Sequence, residues 1–337
     1  MSDRTRFRAA GSTRSASRPL QNEDIDLPGE RTLLDLYDEL PNNVWNGCVR
    51  ARVGGGHDYD VICAPPVLGV DASLRVPYFA PDEPGPGASG FGYPNDYIFE
   101  DPSTGSPAAQ QRNGKKYLGL ANSGTYFPFN PYGVPNLNCV PQPIQALANQ
   151  KDAIISAING MLANGATVIP SGLAWDWRVI SPTVPFVEGA TYSDQGVIKA
   201  IILLTDGRNQ VEIDVGHNKS YYSRYGYAAE GHLGATDNTQ SQVTLDAKTP
   251  TLCNNIKANH DNIANDEDIY LYTITFVGEG VVGIDQAAAI RTMMQTCATP
   301  DAKCPGNKCK HDSPTGADLQ RAFTNIAAGL SNLRIAK

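Results

Sequence analysis

The chain has 337 residues, of which 41% are hydrophobic, enough to form the core of one large domain or two small ones. Its formal net charge is −8, from 27 basic and 35 acidic residues, which argues against nucleic acid as its main partner. No apolar run approaches the roughly 18–20 residues of a membrane-spanning helix, so we predict no membrane span and no signal peptide in this sequence.

The N-terminal part of the chain shows little periodicity. Residues 1–30 are predicted to be a disordered basic leader, since their arginines stand among serines without an apolar element nearby. Residues 31–145 are interpreted as an irregular insertion region rich in Gly, Pro and Tyr, opened by a short helix over 31–40 that ends at Pro41. Because a compact domain seldom carries so long a loop without regular elements, we expect this region to have local packing of its own.

Regular patterns occupy the C-terminal part, residues 146–337. Apolar residues recur there at helical spacing, which predicts helices at 152–163, 170–177, 242–259, 285–297 and 316–333. Two apolar runs between these helices, 197–204 and 269–277, predict strands. The alternation predicts an α/β fold, an open parallel sheet with helices on both faces.

The first of these strands leads directly into Thr205-Asp206-Gly207. A short apolar run that ends in an acidic residue is typical of a buried parallel strand with a carboxylate at its C-terminal tip. Ligands and metal ions bind at such tips in open α/β sheets. Asp206 is therefore a candidate site residue on its position alone.

These segments, in this order, resemble the second half of a von Willebrand factor A domain, in the form found in TadG-like proteins of bacterial tight-adherence (Flp) pilus systems. The similarity covers roughly residues 40–337 and includes the unusual Ala-Pro-Asp-Glu-Pro and Trp-Asp-Trp-Arg sequences. The stretches that carry it are Cys48–Arg52, Val76–Pro84, Asn164–Arg178, Leu204–Gly207, Cys253–Ala258 and Leu319–Arg334. The resemblance implies a von Willebrand factor A or Rossmann-like sheet over residues 146–337.

The family's metal-ion-dependent adhesion site is matched here only in part. The resemblance places Thr167 and Asp206 at two of its ligand positions, where oxygen ligands hold Mg²⁺. The Asp-x-Ser-x-Ser strand that supplies the other ligands is missing, as is the membrane helix that usually precedes it. We therefore expect an architecture truncated on its N-terminal side, vestigial ligand positions, and Mg²⁺ binding that is weak at best.

The seven cysteines lie mostly in Gly- and Pro-rich contexts, a usage that fits an oxidising compartment. We predict a disulfide between Cys304 and Cys309, across a short loop. A zinc site formed by Cys297, Cys304, Cys309 and His311 is the alternative, but their spacing does not match the paired spacings of structural zinc sites. The pairing of the other five cysteines is left open by the sequence.

The leading hypothesis is a non-enzymatic, extracytoplasmic adhesion or pilus-assembly protein that binds other proteins at the bacterial cell envelope or periplasm. Partners consistent with the resemblance are pilus components or a separately encoded N-terminal half. The sequence has no nucleophile elbow, no zinc-protease motif and no phosphate loop. Two alternatives stay open: a metal-dependent hydrolase with ligands from residues 41–140 of the irregular region, and a non-functional fragment of a longer TadG-like protein.

Overall fold

The structure, a computed structural model, describes most of the chain. The described residues are 24–29, 31–40, 43–54, 57–58, 60–85, 95–100, 105–120, 134–140, 142–194, 196–211, 216–258, 269–278 and 284–335. The predicted leader lies almost wholly outside them. Within these ranges, none of the helices has both the length and the apolar character needed to cross a bilayer.

The chain divides into two compact units. Unit 1 takes residues up to Tyr59, then Pro65–Ala166 and Val211–Ser241, and unit 2 takes Asp60–Ala64, Thr167–Gln210 and Gln242–Lys337. The units therefore do not follow the boundary predicted at residue 146. Residues 146–166 and 211–241 group with the irregular region instead, where Tyr222 and Tyr227 belong to a buried cluster with Tyr78.

Unit 2 contains a parallel sheet of three strands. They are β3 (Ala200–Thr205), β4 (Tyr270–Thr275) and β5 (Lys310–Asp312), arranged in the order β3-β4-β5. Ala200 lies opposite Tyr270 and Thr205 opposite Thr275, so β3 and β4 are paired along their whole length. This sheet, with helices packed against it, confirms the α/β prediction.

Four helices accompany the sheet in chain order: α4 (Ile169–Ile180), α5 (Asn238–Ala258), α6 (Ile284–Cys297) and α7 (Gly316–Ile335). Side chains of α4, α5 and α6 form one apolar cluster with Ile201, Leu203 and Leu271 of the sheet. Tyr272 and Ile274 point the other way, into a second cluster with α7. Both faces of β4 are thus covered, as a buried parallel strand requires.

The start of α4 shows how the sequence sets these elements. Pro170 occupies the first turn of the helix, where its missing N–H leaves no hydrogen bond unmade. Leu173 and Trp177 then recur at helical spacing and are buried. Trp175, on the other side, packs edge-to-face against Phe186 instead.

Unit 1 has short elements around two tyrosine-rich clusters. Its helices are α1 (Leu33–Glu39), α2 (Pro107–Arg112) and α3 (Lys151–Asn159), and its strands β1 (Val53–Gly54) and β2 (His57–Asp58) form an antiparallel pair. Thr32 caps α1 reciprocally with Asp35, a capping box. The region predicted to be irregular therefore has its own packed core.

Among the described residues, three disulfides join six of the seven cysteines. They link Cys48 to Cys139 in unit 1, and Cys253 to Cys297 and Cys304 to Cys309 in unit 2. The predicted pair Cys304–Cys309 is thus bonded. Cys297, the third cysteine of the alternative zinc site, is bonded to Cys253. His311 is buried on β5.

Candidate functional site

The loop after β3 is held in place by its own polar groups and by a buried asparagine. The Thr205 hydroxyl donates to the Gly207 carbonyl at 2.7 Å. The Asn209 side chain is buried and accepts a hydrogen bond from the Ile169 backbone N–H at 2.8 Å. Its amide group donates to Asp246 Oδ1 at 2.9 Å, on α5. The loop at the strand tip is therefore tied to the first residue of α4 and to the interior of α5.

This network brings the two predicted ligand positions to one end of the sheet. The Gln210 backbone N–H donates to the Thr167 carbonyl at 2.8 Å. A Cβ added to Gly207 would lie 3.7 Å from Thr167 Oγ1, so the Thr167 hydroxyl stands beside the residue that follows Asp206. Asp206 is exposed and Thr167 half-buried. Whether these positions bind Mg²⁺ stays a prediction, and within the described ranges Asp206 belongs to no group of three carboxylate, imidazole or thiol ligands.

One edge of the sheet is open. In the described part of the chain, β3 pairs with β4 on one side and with no strand on the other. The carbonyls of Lys199 and Thr205 accept hydrogen bonds from Tyr270 and Phe276. Bonded groups recur at every second residue of a parallel strand, so the backbone groups of Ala200, Ile202 and Leu204 point away from β4.

The exposed side chains of β3 are apolar. Ile201 and Leu203 are buried in the cluster with α4, but Ile202 is 38% exposed and Leu204 is 45% exposed. Their neighbours on β4, Tyr272 and Ile274, are fully buried. The cover that α7 gives to β4 reaches Ala200 at the start of β3 but leaves Ile202 and Leu204 exposed. We call the outward side of β3 the open edge.

Lys199, the charged residue directly before β3, does not protect the open edge. Lysines on edge strands commonly block pairing with another chain. Here the Lys199 ammonium donates to the carbonyls of Ile180 and Ala190, both at 2.6 Å. It also lies 4.9 Å from the centre of the Tyr192 ring. Burial lowers the pKa of this lysine, and its side chain is folded against its own unit.

Unit 1 has an apolar surface of its own on α3. Of the residues of this helix, all described, Ala157 alone is buried. Ile154, Ile155 and Ile158 are exposed, as are Met161 and Leu162 just after the helix. The helical spacing of Ile154, Ile158, Met161 and Leu162 predicted a helix here, and the structure leaves these side chains exposed.

One group of possible metal ligands was missed by sequence reasoning. Asp24, Glu230 and His232 lie together in unit 1, although Asp24 and His232 are 208 positions apart. Glu230-Gly-His232 is visible as a short pair in the sequence, but nothing there points to Asp24 as its neighbour. The hypothesis of ligands from residues 41–140 named a different part of the chain.

No family model, curated protein or solved structure matches this chain.

Proposed function

We propose that this chain is a non-enzymatic protein-binding component of the bacterial cell envelope, which acts in adhesion or pilus assembly by accepting a strand from another polypeptide at the open edge. The single observation that carries the proposal is the combination of outward backbone groups and exposed apolar side chains at Ile202 and Leu204. Addition of a strand to such an edge is a common mode of protein recognition, in which main-chain hydrogen bonds supply affinity.

The partner expected at this edge is a different polypeptide rather than a second copy. A second β3 would satisfy the outward backbone groups but would bring another Ile202 and Leu204 whose face is equally uncovered. Parallel sheets are normally covered on both faces. A partner that contributes a strand together with an apolar covering element satisfies both needs.

The three disulfides support an extracytoplasmic location for this role. Disulfides persist in oxidising compartments and are rare in the bacterial cytosol. Two of them stabilise unit 2, where the open edge lies. The proposed metal ligands Thr167 and Asp206 stand at the end of the same strand, where a partner's own side chains could complete them.

The test is site-specific crosslinking in the native envelope. A photoreactive residue in place of Ile202 should form an adduct with one different polypeptide, and Leu204→Lys on the same chain should abolish it. The control position is Val243, which is 57% exposed on α5 and away from β3 in sequence. Adducts only with a second copy of the chain, or equal adducts from position 243, would contradict the proposal.

A further inference from the structure

A cluster of one imidazole and two carboxylates lies in unit 1 and shares no residue with the open edge, which belongs to unit 2. The turn Ala228–Glu230 ends at Gly231, whose φ of +72° reverses the chain and returns His232 towards Glu230. Asp24 reaches the same place from the N-terminal part of the unit. The three ligand atoms all lie within 4.8 Å of one another.

The spacing of these atoms suits a metal ion. His232 Nε2 lies 2.9 Å from Asp24 Oδ1 and 3.6 Å from Glu230 Oε2. A cation held at about 2.0–2.2 Å by nitrogen and oxygen ligands needs ligand atoms separated by about 3–4 Å. The chain therefore presents three ligands in nearly the required arrangement without further movement.

The second oxygen of Asp24 is held by other groups, which leaves Oδ1 directed at the cluster. Arg50 Nη1 lies 2.6 Å from Asp24 Oδ2, and the Tyr222 hydroxyl donates to the same oxygen at 3.1 Å. The Tyr227 backbone N–H donates to Glu230 Oε2 at 2.9 Å. Outer contacts of this kind fix the orientation of metal-binding carboxylates.

A glycine closes one wall of the cluster. A Cβ on Gly226 would lie 2.4 Å from Glu230 Oε2 and 3.0 Å from His232 Cδ2, too close for any other residue. Its φ of +77° also favours glycine. Water reaches the site, since the side chains of His232 and Glu230 are 14% and 17% exposed while Asp24 is 1% exposed.

We propose that Asp24, Glu230 and His232 form a binding site for a first-row divalent cation, Zn²⁺ first among them. Imidazole nitrogen with carboxylate oxygen suits Zn²⁺, whereas Mg²⁺ and Ca²⁺ are bound through oxygen alone. Three protein ligands leave a fourth position to water from the exposed side. The site does not depend on strand binding at the open edge, and either proposal can fail without the other.

The experiment is calorimetric titration of the chelator-treated chain with ZnCl₂ at neutral pH. We expect one Zn²⁺ per chain, with affinity at least about 100-fold weaker in Glu230→Gln. In Tyr222→Phe, which removes only an outer contact, affinity should fall by about tenfold. The control is Glu100→Gln, a buried carboxylate elsewhere in unit 1, which should bind as the wild type does.

Two further measurements keep the result interpretable. If Glu230→Gln does not fold, His232→Gln replaces it as the ligand variant. A Co²⁺-loaded chain should also show a visible absorption band that Glu230→Gln loses. The absence of saturable Zn²⁺ binding, or binding unchanged in both ligand variants, would mean that the cluster is an ion-pair network and would overturn the proposal.

Discussion

Asp82 and Glu83, in the middle of the Ala-Pro-Asp-Glu-Pro sequence, are fully buried and bridge distant parts of unit 1. Asp82 Oδ1 accepts hydrogen bonds from the backbone N–H groups of Tyr97 and Ile98, and its other oxygen lies 2.9 Å from Lys116 Nζ. The Glu83 carboxylate accepts from Asn218 Nδ2 and from the Asn95 backbone N–H, both at 2.7 Å. The Ala-Pro-Asp-Glu-Pro sequence therefore has a structural role, since its two carboxylates hold segments of unit 1 together.

Removal of the Asp82 charge should destabilise unit 1 strongly. Burial alone lowers the pKa of Lys116, but the carboxylates of Asp82 and Glu100 outweigh it, so its pKa lies above the ordinary value and the ammonium stays charged. Asp82→Asn leaves that buried charge with a single carboxylate partner, Glu100 at 3.3 Å. We expect the free energy of unfolding to fall by about 3 kcal/mol.

The free energy of unfolding of Asp82→Asn can be measured by denaturant titration. The control variant is Asp152→Asn, which changes an exposed carboxylate on α3. The control should change stability by less than about 0.5 kcal/mol. Equal stability of both variants would show that the Asp82–Lys116 pair contributes nothing net to the fold.

His311 predicts a pH dependence in unit 2. It is 4% exposed on β5, and burial, together with the nearby Lys308, lowers its pKa. Below the ordinary histidine pKa of about 6.5 the unfolded chain takes up a proton that the folded chain resists, so stability falls as pH falls.

The denaturant midpoint of the wild type should therefore drop between pH 7.5 and pH 5.5, and His311→Gln should make that drop smaller. If the denaturant midpoint falls equally with pH in the wild type and in His311→Gln, groups other than His311 cause the pH dependence. The residue was named from the sequence only as a doubtful zinc ligand, because nothing in a sequence reports the burial of a single imidazole.

Most regular elements of unit 2 could be predicted from the sequence because they have local signals, whereas the three-residue strand β5 has none and was not predicted. The run 201–204 has the apolar character of a buried strand, and Pro170 marks the start of α4. The strand predicted at 269–277 matches β4, Tyr270–Thr275. In unit 1 only the helices predicted over 31–40 and 152–163 had such a signal. The core of that unit depends on tyrosines such as Tyr97 and Tyr117 and on buried charges, which follow no helical or strand period.

Hydrogen exchange on β3 would test the geometry of the open edge directly. The amides of Ile202 and Leu204 point outward and should exchange quickly in the isolated chain. The amides of Ile201 and Leu203 are bonded to β4 and should exchange more slowly. If they exchange only when the whole unit unfolds, their rates should be lower by orders of magnitude than those of Ile202 and Leu204. A uniform, slow rate across these residues would mean that the edge is already paired.

The two disulfides of unit 2 should differ in their contribution to stability. Cys253–Cys297 joins α5 to α6 across 44 positions, while Cys304–Cys309 spans 5. In the chain-entropy model the first is worth about 4 kcal/mol and the second about 2 kcal/mol. Double Cys→Ala variants compared by denaturant unfolding should preserve that order, and a reversed order would mean that packing around the sulfurs outweighs loop closure.

At the scale of the whole molecule, the division into units could not have been read from the sequence. Unit 1 takes Val211–Ser241 from between two segments of unit 2, and unit 2 takes Asp60–Ala64 from within unit 1. The reason is in long-range pairs: Tyr222 donates to Asp24, 198 positions away, and Arg178 pairs with Asp60 at 2.8 Å, 118 positions away. Such pairs leave no local pattern, so a boundary drawn by periodicity at residue 146 separated segments that pack together.

The open edge predicts how the purified chain behaves without its partner. Outward backbone groups along an apolar strand, with no proline and with Lys199 turned away, are a template for pairing with another chain. Side chains of Ile202 and Leu204 add exposed apolar surface at the same place.

In sedimentation at about ten micromolar we therefore expect the purified chain to self-associate in the absence of a partner. The double variant Ile202→Lys, Leu204→Lys should sediment as a monomer, because it places a charge on each exposed position of β3. Val243→Lys adds the same kind of charge at an exposed apolar position on α5 and should associate as the wild type does. A wild-type chain that stays monomeric and unfolds cooperatively would mean that the edge is covered within the chain, and the interpretation of unit 2 as a half-domain awaiting a strand would have to be abandoned.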